Sequence, residues 1–204
     1  MTEEIFNNFL SLDLIFNDRY DQIEHWAKNL FIEGAILEFG VWKANTINLI
    51  ANTVPDKKVF GFDSFKGLPE KWIRTADKKR YSDKGEFALS ELPQVEENVV
   101  LIEGWFNESI PFWLKKNKEQ ISLLHIDCDL YTSTNTVLNQ LNNQIVKDTI
   151  IIFDELCDWN DQGIYDLWKE GEAKALLEWS VTNNRKIKVL SRTEWLEGAI
   201  LVLK

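Results

Sequence analysis

Positive charge is what this 204-residue chain is short of: 23 Lys and Arg stand against 33 Asp and Glu, a formal net charge of −10. Sequence-independent binding to DNA or RNA needs Lys and Arg in excess beside the phosphates, so nucleic acid is excluded as a partner. An anionic membrane surface is disfavoured for the same reason. Long apolar runs are missing too. Nothing approaches the eighteen or so apolar residues that suggest a membrane span. The opening MTEEIFNN has no basic segment leading into an apolar one, so no signal peptide is expected. Cysteine is scarce: Cys128 and Cys157 have no CxxC spacing, and reduced thiols in a cytoplasmic protein are the natural expectation. Glycine is thin where a dinucleotide would need it. The turn EFGVWKANT, Glu38 to Thr46, keeps only Gly40 of a GxGxxG pattern, with Trp42 and Asn45 at the other two glycine positions. That disfavours a pyrophosphate cofactor such as a nicotinamide or flavin dinucleotide.

What is present suits one globular domain spanning 1–204. Hydrophobic residues make up 45% of the chain and charged ones 27%, enough of each for a buried core and a solvated surface. Apolar residues recur at helical spacing in two N-terminal segments, first at Ile5, Phe6, Phe9, Leu10 and Leu14, then at Tyr20, Ile23, Ala27 and Leu30. Residues 1–33 are therefore expected as a helical cap that packs over the sheet, covers the site or dimerises. Strands follow at 35–40, 58–63, 99–103, 121–126 and 149–153, separated by helices at about 45–54, 111–118 and 134–145. A further helix runs through Ile164, Leu167, Trp168 and Trp179, and a hairpin of 186–190 and 198–203 ends the chain. Strands alternating with helices predict an α/β fold: a doubly wound, Rossmann-like, mostly parallel sheet with a C-terminal antiparallel strand and N-terminal helices. Residues 64–97 are the longest weakly patterned stretch, expected as a lid with a short helix around 87–92. Nine Trp are many for this length. Most are expected in packing, but those in loops can stack on a sugar or purine.

The sharpest feature is a crest of acids. ISLLHIDCDLYTST, residues 121–134, is an apolar run ending in Asp127 and Asp129, and TIIIFDE, residues 149–155, ends in Asp154 and Glu155. Ligands of open α/β sheets bind beyond the carboxyl ends of strands, where these acids would converge. Like charges that close raise one another's pKa unless a cation sits among them. A hard-cation site or a cationic ligand is therefore expected. By the same reasoning, removing one acid should leave the empty site as stable or more so. If strand geometry persists, Asp127 and Asp129 share a face and Cys128 points away, which argues against zinc and for Mg²⁺, Mn²⁺ or Ca²⁺. His125, one pleat deeper, reads as a satisfied core histidine or a base. A hydroxyl of Thr132–Thr134 is expected to cap the next helix. Glu38 suits an ammonium or sulfonium. Asp63, closing the second strand, falls where an acid grips ribose hydroxyls.

GFDSFKGLPE, EGWFNESIP, HIDCDLYTST and IIIFDE together resemble the macrocin O-methyltransferase-like family of class I S-adenosylmethionine methyltransferases, over about residues 35–156. The resemblance implies methyl transfer from S-adenosylmethionine to a hydroxyl of a sugar or glycosylated small molecule, with Mg²⁺ or Mn²⁺ assisting. By it Glu38, Phe39, Gly40, Thr46, Asp63, Ser64, Gly104 and Trp105 line the cofactor pocket, with Asp127 beside them. Asp127, Asp154 and Glu155 match the metal positions. For the transfer itself Asp127 and Asp129 are the expected catalytic residues, with Asp129, or else His125, taking the hydroxyl proton. Two positions depart from the pattern: Ala44 stands where glycine is usual, and the second acidic pair is Asp-Glu where Asp-Asp is common. The rival expectations are a nicotinamide-dependent sugar oxidoreductase, a metal-independent methyltransferase and a non-catalytic nucleotide-binding module.

Overall fold

The protein, seen in a computed structural model that describes residues 2–204, is built on one eight-stranded sheet. In chain order the elements are α1 (Thr2–Leu10), β1 (Ile15–Phe16), α2 (Arg19–Lys28), β2 (Ala35–Phe39), α3 (Asn45–Thr53) and β3 (Val59–Asp63). Then come β4 (Trp72–Ile73), β5 (Tyr81–Ser82), β6 (Val99–Glu103), α4 (Phe106–Leu114), β7 (Ile121–Ile126) and α5 (Tyr131–Gln140). The chain closes with β8 (Ile150–Phe153), a short 3₁₀ turn (Trp168–Glu170), α6 (Glu172–Thr182), β9 (Ile187–Thr193) and β10 (Gly198–Val202). The strand order is β1-β9-β10-β8-β7-β2-β3-β6, with β8, β7, β2, β3 and β6 parallel and β10 antiparallel to both its neighbours. The expected doubly wound sheet with its C-terminal antiparallel strand is therefore present.

Hydrophobic cores lie on both faces, which is why the central strands are apolar without alternation. One core joins Phe6 and Phe9 of α1, Ile110 and Trp113 of α4, Val137 and Leu138 of α5, and Leu176 and Trp179 of α6. The other joins Ile23 and Trp26 of α2 to Ile47 and Ile50 of α3. Among the described residues no helix is long and apolar enough to cross a membrane, and both cysteines are free and buried.

Several boundaries differ from the sequence expectation, each for a local reason. Helix α4 starts at Phe106, before Pro111, and runs through the proline at the cost of one backbone hydrogen bond, because Ile110 and Trp113 bury its inner face. Helix α5 starts at Tyr131 after Leu130, with no side-chain cap, so Thr132 to Thr134 lie inside it. Residues 164–167 are turn, and α6 begins only after Gly171. No helix forms at 87–92, since Phe87 adopts a left-handed φ of 70° that ends a turn. Residues 64–97 instead carry the β4–β5 hairpin, pinned by Leu68 and Trp72 against Leu130 and Tyr165 in a third small core.

The crest of the sheet is held level by backbone bonds that run past the strands. Gly40 N–H donates to Phe62 O (3.0 Å), Asp127 N–H to Phe39 O (2.9 Å), Asp154 N–H to Ile126 O (2.9 Å) and Gly104 N–H to Asp63 O (2.9 Å). Gly40 has φ +93°, and a Cβ there would sit 1.7 Å from the carbonyl oxygen of Asp127. Only glycine lets β2 and β7 close at this point, where the connections diverge to opposite sides of the sheet. Gly40→Ala should therefore cost about 3–5 kcal/mol or prevent folding. Urea unfolding of the variant checks this, and a loss under about 1 kcal/mol would mean the approach is not constraining.

Candidate active site

The turn after β2 folds back on its neighbour strand. Val41 and Trp42 N–H groups both donate to Asp63 Oδ2 at 2.9 Å, and Phe65 N–H donates to Asp63 Oδ1 at 2.7 Å. Asp63 thus fixes two loops while still facing the open space above them. Ala44, at the start of α3, has φ 65° and ψ 22°. That left-handed geometry costs an alanine about 1 kcal/mol and is the physical reason a glycine is favoured at this position.

The space is a cavity of about 550 Å³ at the carboxyl ends of β2, β3, β7 and β8. Gly40, Asp63, Ser64 and Trp105 line it together with Asp127, Asp129 and Glu155. Trp72, Arg74 and Phe87 from residues 64–97 line it, as do Ile164 and Leu196 from the C-terminal third. Of the nine Trp, Trp42, Trp72 and Trp105 face the cavity, while Trp26, Trp113, Trp159 and Trp179 are buried in packing.

Four expected pocket residues do not line it. Glu38 and Phe39 are fully buried within β2, and Thr46 is buried in the first turn of α3. Gly104 faces a separate groove beside Phe60 and Trp113. The correction for Glu38 has a clear cause. It pairs across the sheet with His125, whose Nδ1 lies 2.9 Å from Glu38 Oε2. Glu38 is therefore buried beside the crest and paired with a core histidine.

Strand β7 ends at Ile126, so Asp127 and Asp129 do not share a strand face. Asp129 has φ 64°, and this reversal brings it back toward Asp127. Cys128 lines the cavity as well, its thiol 3.4 Å from the Thr134 hydroxyl. The expected trio Asp127, Asp154 and Glu155 is divided. Asp127, Asp129 and Glu155 each place an oxygen within 4.8 Å of the others, while Asp154 groups with Asp127 and His125.

Asp154 pairs with a residue the sequence reading missed. Arg19, the first residue of α2, reaches across the sheet so that Nη1 donates to Asp154 Oδ2 at 2.6 Å and lies 3.7 Å from Asp127 Oδ2. His125 Nε2 faces the other Asp154 oxygen at 3.8 Å, a charge contact too long for a hydrogen bond. Burial would depress His125, but the carboxylates of Asp154 and Glu38 outweigh it and lift the imidazole to about 10. His125 is thus a core imidazolium, paired and inaccessible to a substrate. Asp154, pushed up by burial, is held below its ordinary value by His125 and Arg19. The other three acids move the opposite way. Burial first, and the charge of Asp154 second, raise Asp127 and Glu155 well above the usual range and Asp129 to about 7. Behind them Glu172 is fully buried, accepting from the Glu155 N–H at 3.1 Å, and burial raises it too.

An open sheet with a glycine turn, a strand-end acid and an acidic crest around one cavity defines a Rossmann-like enzyme of the methyltransferase type. The family model for macrocin-O-methyltransferase (TylF) matches residues 10–173, and the chain belongs to that family. The match reaches α2 and α6, beyond the segments that carry the sequence resemblance. Among solved structures, CalS11, a calicheamicin methyltransferase, is 23% identical with a TM-score of 0.64, covering 89% of this chain and 76% of its own. The O-methyltransferase NovP is 19% identical with a TM-score of 0.67, over 91% and 80%. An O-methyltransferase from Bacillus cereus in complex with S-adenosylhomocysteine is 14% identical with a TM-score of 0.58, over 100% and 90%. These likenesses concern the fold. No curated protein matches the chain significantly.

The pairing of Asp154 reverses the expectation that losing one acid relieves the empty site. Asp154→Asn leaves Arg19 and the buried His125 without their shared anion. It should cost about 2 kcal/mol, below the 3–5 kcal/mol of a fully buried pair because Arg19 is a third exposed. Chemical denaturation of the cation-free protein checks it, and equal or higher stability would restore the repulsion picture. His125 adds a pH signature. Its folded pKa is raised, so its contribution is complete below about 6.5 and fades as pH rises through about 10. An imidazole seen by NMR to titrate near 6.5 would contradict this.

Proposed function

We propose that the protein is an S-adenosylmethionine-dependent O-methyltransferase, assisted by a divalent cation, acting on a hydroxyl of a sugar or glycosylated small molecule. The observation that carries this reading is that one cavity is lined both by Gly40, Asp63, Ser64 and Trp105 and by Asp127, Asp129 and Glu155. Membership in the macrocin-O-methyltransferase family supports it. So does the sugar chemistry of a neighbour, since CalS11 is a TDP-rhamnose 3′-O-methyltransferase.

Asp63 would hold the ribose of the cofactor while keeping the Gly40–Trp42 turn in place, and the faces of Trp42, Trp72 and Trp105 suit a purine or a sugar ring. The acidic crest fits a hard cation. Its donors are all carboxylate oxygens, Glu155 Oε2 is buried without a hydrogen-bond partner, and three of the acids resist ionisation without added positive charge. Asp127, Asp129 and Glu155 would hold Mg²⁺ or Mn²⁺, which when bound supplies Lewis-acid lowering of the acceptor hydroxyl's pKa. Asp129, beside the acceptor hydroxyl's place at the crest, would offer a carboxylate oxygen to take its proton. The protein otherwise supplies position and dryness. Residues 64–97 would act as the lid that excludes water. A metal-independent methyltransferase is the second reading, favoured by Arg19, which already places a positive charge at the crest.

Calorimetry should detect S-adenosylhomocysteine but not NAD, and Asp63→Ala should weaken the former by about 1–3 kcal/mol. Heat with NAD and none with S-adenosylhomocysteine would overturn the cofactor assignment. With a competent acceptor, EDTA should abolish transfer and Mg²⁺ or Mn²⁺ restore it, whereas full activity in EDTA would select the metal-independent reading. Hydrogen exchange of residues 64–97 should slow on adding S-adenosylhomocysteine. Equal protection with and without ligand would make that segment a static insertion.

A further inference from the structure

We infer that Arg19 is a built-in counter-ion of the acidic crest that opposes a divalent cation at Asp127, so that α2 sets how tightly the site takes up a cation. The inference rests on the cation-assisted reading above and assigns this chain's own arginine a role in it.

The placement of Arg19 is not incidental. Asp18 caps α2, its Oδ1 accepting from Asp21 N–H at 3.0 Å, so the helix starts at Arg19 itself. Just upstream, β1 pairs with the end of β9 in the register Ile15 to Arg192 and Phe16 to Thr193. One turn further on, Gln22 Nε2 and Trp26 Nε1 both donate to the buried Ser191 Oγ, at 2.9 and 2.8 Å. The backbone under Arg19 is therefore anchored on both sides to the same strand, and the side chain is aimed at the crest. Its head is different. The Arg19 side chain keeps 34% of its surface in solvent and flanks the Tyr20 ring, 5.4 Å from guanidinium carbon to centroid. A side chain that is a third exposed on a fixed backbone can leave its seat while the helix beneath it stays anchored.

The seat matters because Asp127 belongs to both groups of acids. With the guanidinium 2.6 Å from Asp154 and 3.7 Å from Asp127, a divalent ion on Asp127, Asp129 and Glu155 would lie a few ångströms from a fixed positive charge. Charges of like sign at that range, in a site of reduced dielectric, oppose each other strongly. Arg19 also spends the one oxygen of Asp154 not turned to His125. Cation uptake then requires the guanidinium to withdraw or to tolerate the ion, and either lowers affinity.

Mn²⁺ binding followed by electron paramagnetic resonance, with S-adenosylhomocysteine present, tests this on the full chain. Arg19→Gln should bind Mn²⁺ at least tenfold more tightly than the unmutated protein, while Arg19→Lys, which keeps the charge, should stay within about threefold of it. Without metal, Arg19→Gln should melt lower, and Mn²⁺ should restore more than it adds to the unmutated protein. Unchanged or weaker Mn²⁺ binding by Arg19→Gln, with the unmutated protein binding normally, would overturn the inference and leave the cation reading standing. No Mn²⁺ bound by any of the three at millimolar concentration would remove the cation reading and this inference with it. If Arg19→Gln does not fold, the Arg19 Nε–Hε NMR resonance of the unmutated protein decides. Saturating Mg²⁺ should shift it and speed its exchange with water, and an unmoved resonance would refute the inference.

Discussion

Negative charge brought together where four strands end is the constraint on which the rest of this structure depends. The sheet delivers Asp127, Asp129, Asp154 and Glu155 to one volume, with Glu38 and Glu172 buried close behind. Left alone, so many carboxylates in reduced dielectric would either hold protons or push the crest apart. The protein meets the constraint by dividing labour. One acid, Asp154, is kept ionised between two internal cations, and the other three are left under-compensated around a shared space. An under-compensated group of oxygens is a place where a cation or a proton is bound to advantage.

The internal cations come from different levels of the fold. His125 is part of the central strand, and its partner Glu38 lies beside it in register on β2, so this pair is set by strand pairing. Arg19 comes from 135 residues away in sequence and depends on the cap seating itself against β9. The N-terminal segment is thus an electrostatic component of the site as well as a cover for the core. Helix α1 contributes packing, with Phe6 and Phe9 against Trp159 and Phe6 also meeting the edge of Trp168. That contact ties the start of the chain to the turn following the second acidic pair.

The crest would not exist without close approach of the backbones beneath it. Gly40 lets β2 meet Asp127, and the amides of Val41 and Trp42 then fall onto Asp63. The glycine that remains from a dinucleotide-like pattern is therefore retained for chain packing as well as for ligand access. Ala44 accepts left-handed geometry next to it, a small strain at the mouth of the cavity. Over this floor, residues 64–97 and the turn around Tyr165 meet through Leu68, Trp72 and Leu130, forming the far wall of the cavity.

Much of this was legible from residues alone, because periodicity and strand-end chemistry are local. The alternation of buried apolar runs with amphipathic helices determined the doubly wound sheet, and the acids at the ends of β3, β7 and β8 pointed to the candidate site. The absent glycines spoke against a pyrophosphate cofactor, and the four motifs from GFDSFKGLPE to IIIFDE led to the family. Tertiary structure decided the rest. A helix could form around Pro111 only because Trp113 and Ile110 had a core to enter, and Phe87 could break one only in its turn. Glu38 looked like a ligand until strand pairing set it against His125. The need for a positive partner at the crest was readable from the count of acids, but nothing local marks Arg19 as that partner. An arginine opening an amphipathic helix looks the same in sequence whether it meets water or a buried aspartate, because the ion pair is made by the path of the chain between residues 19 and 154.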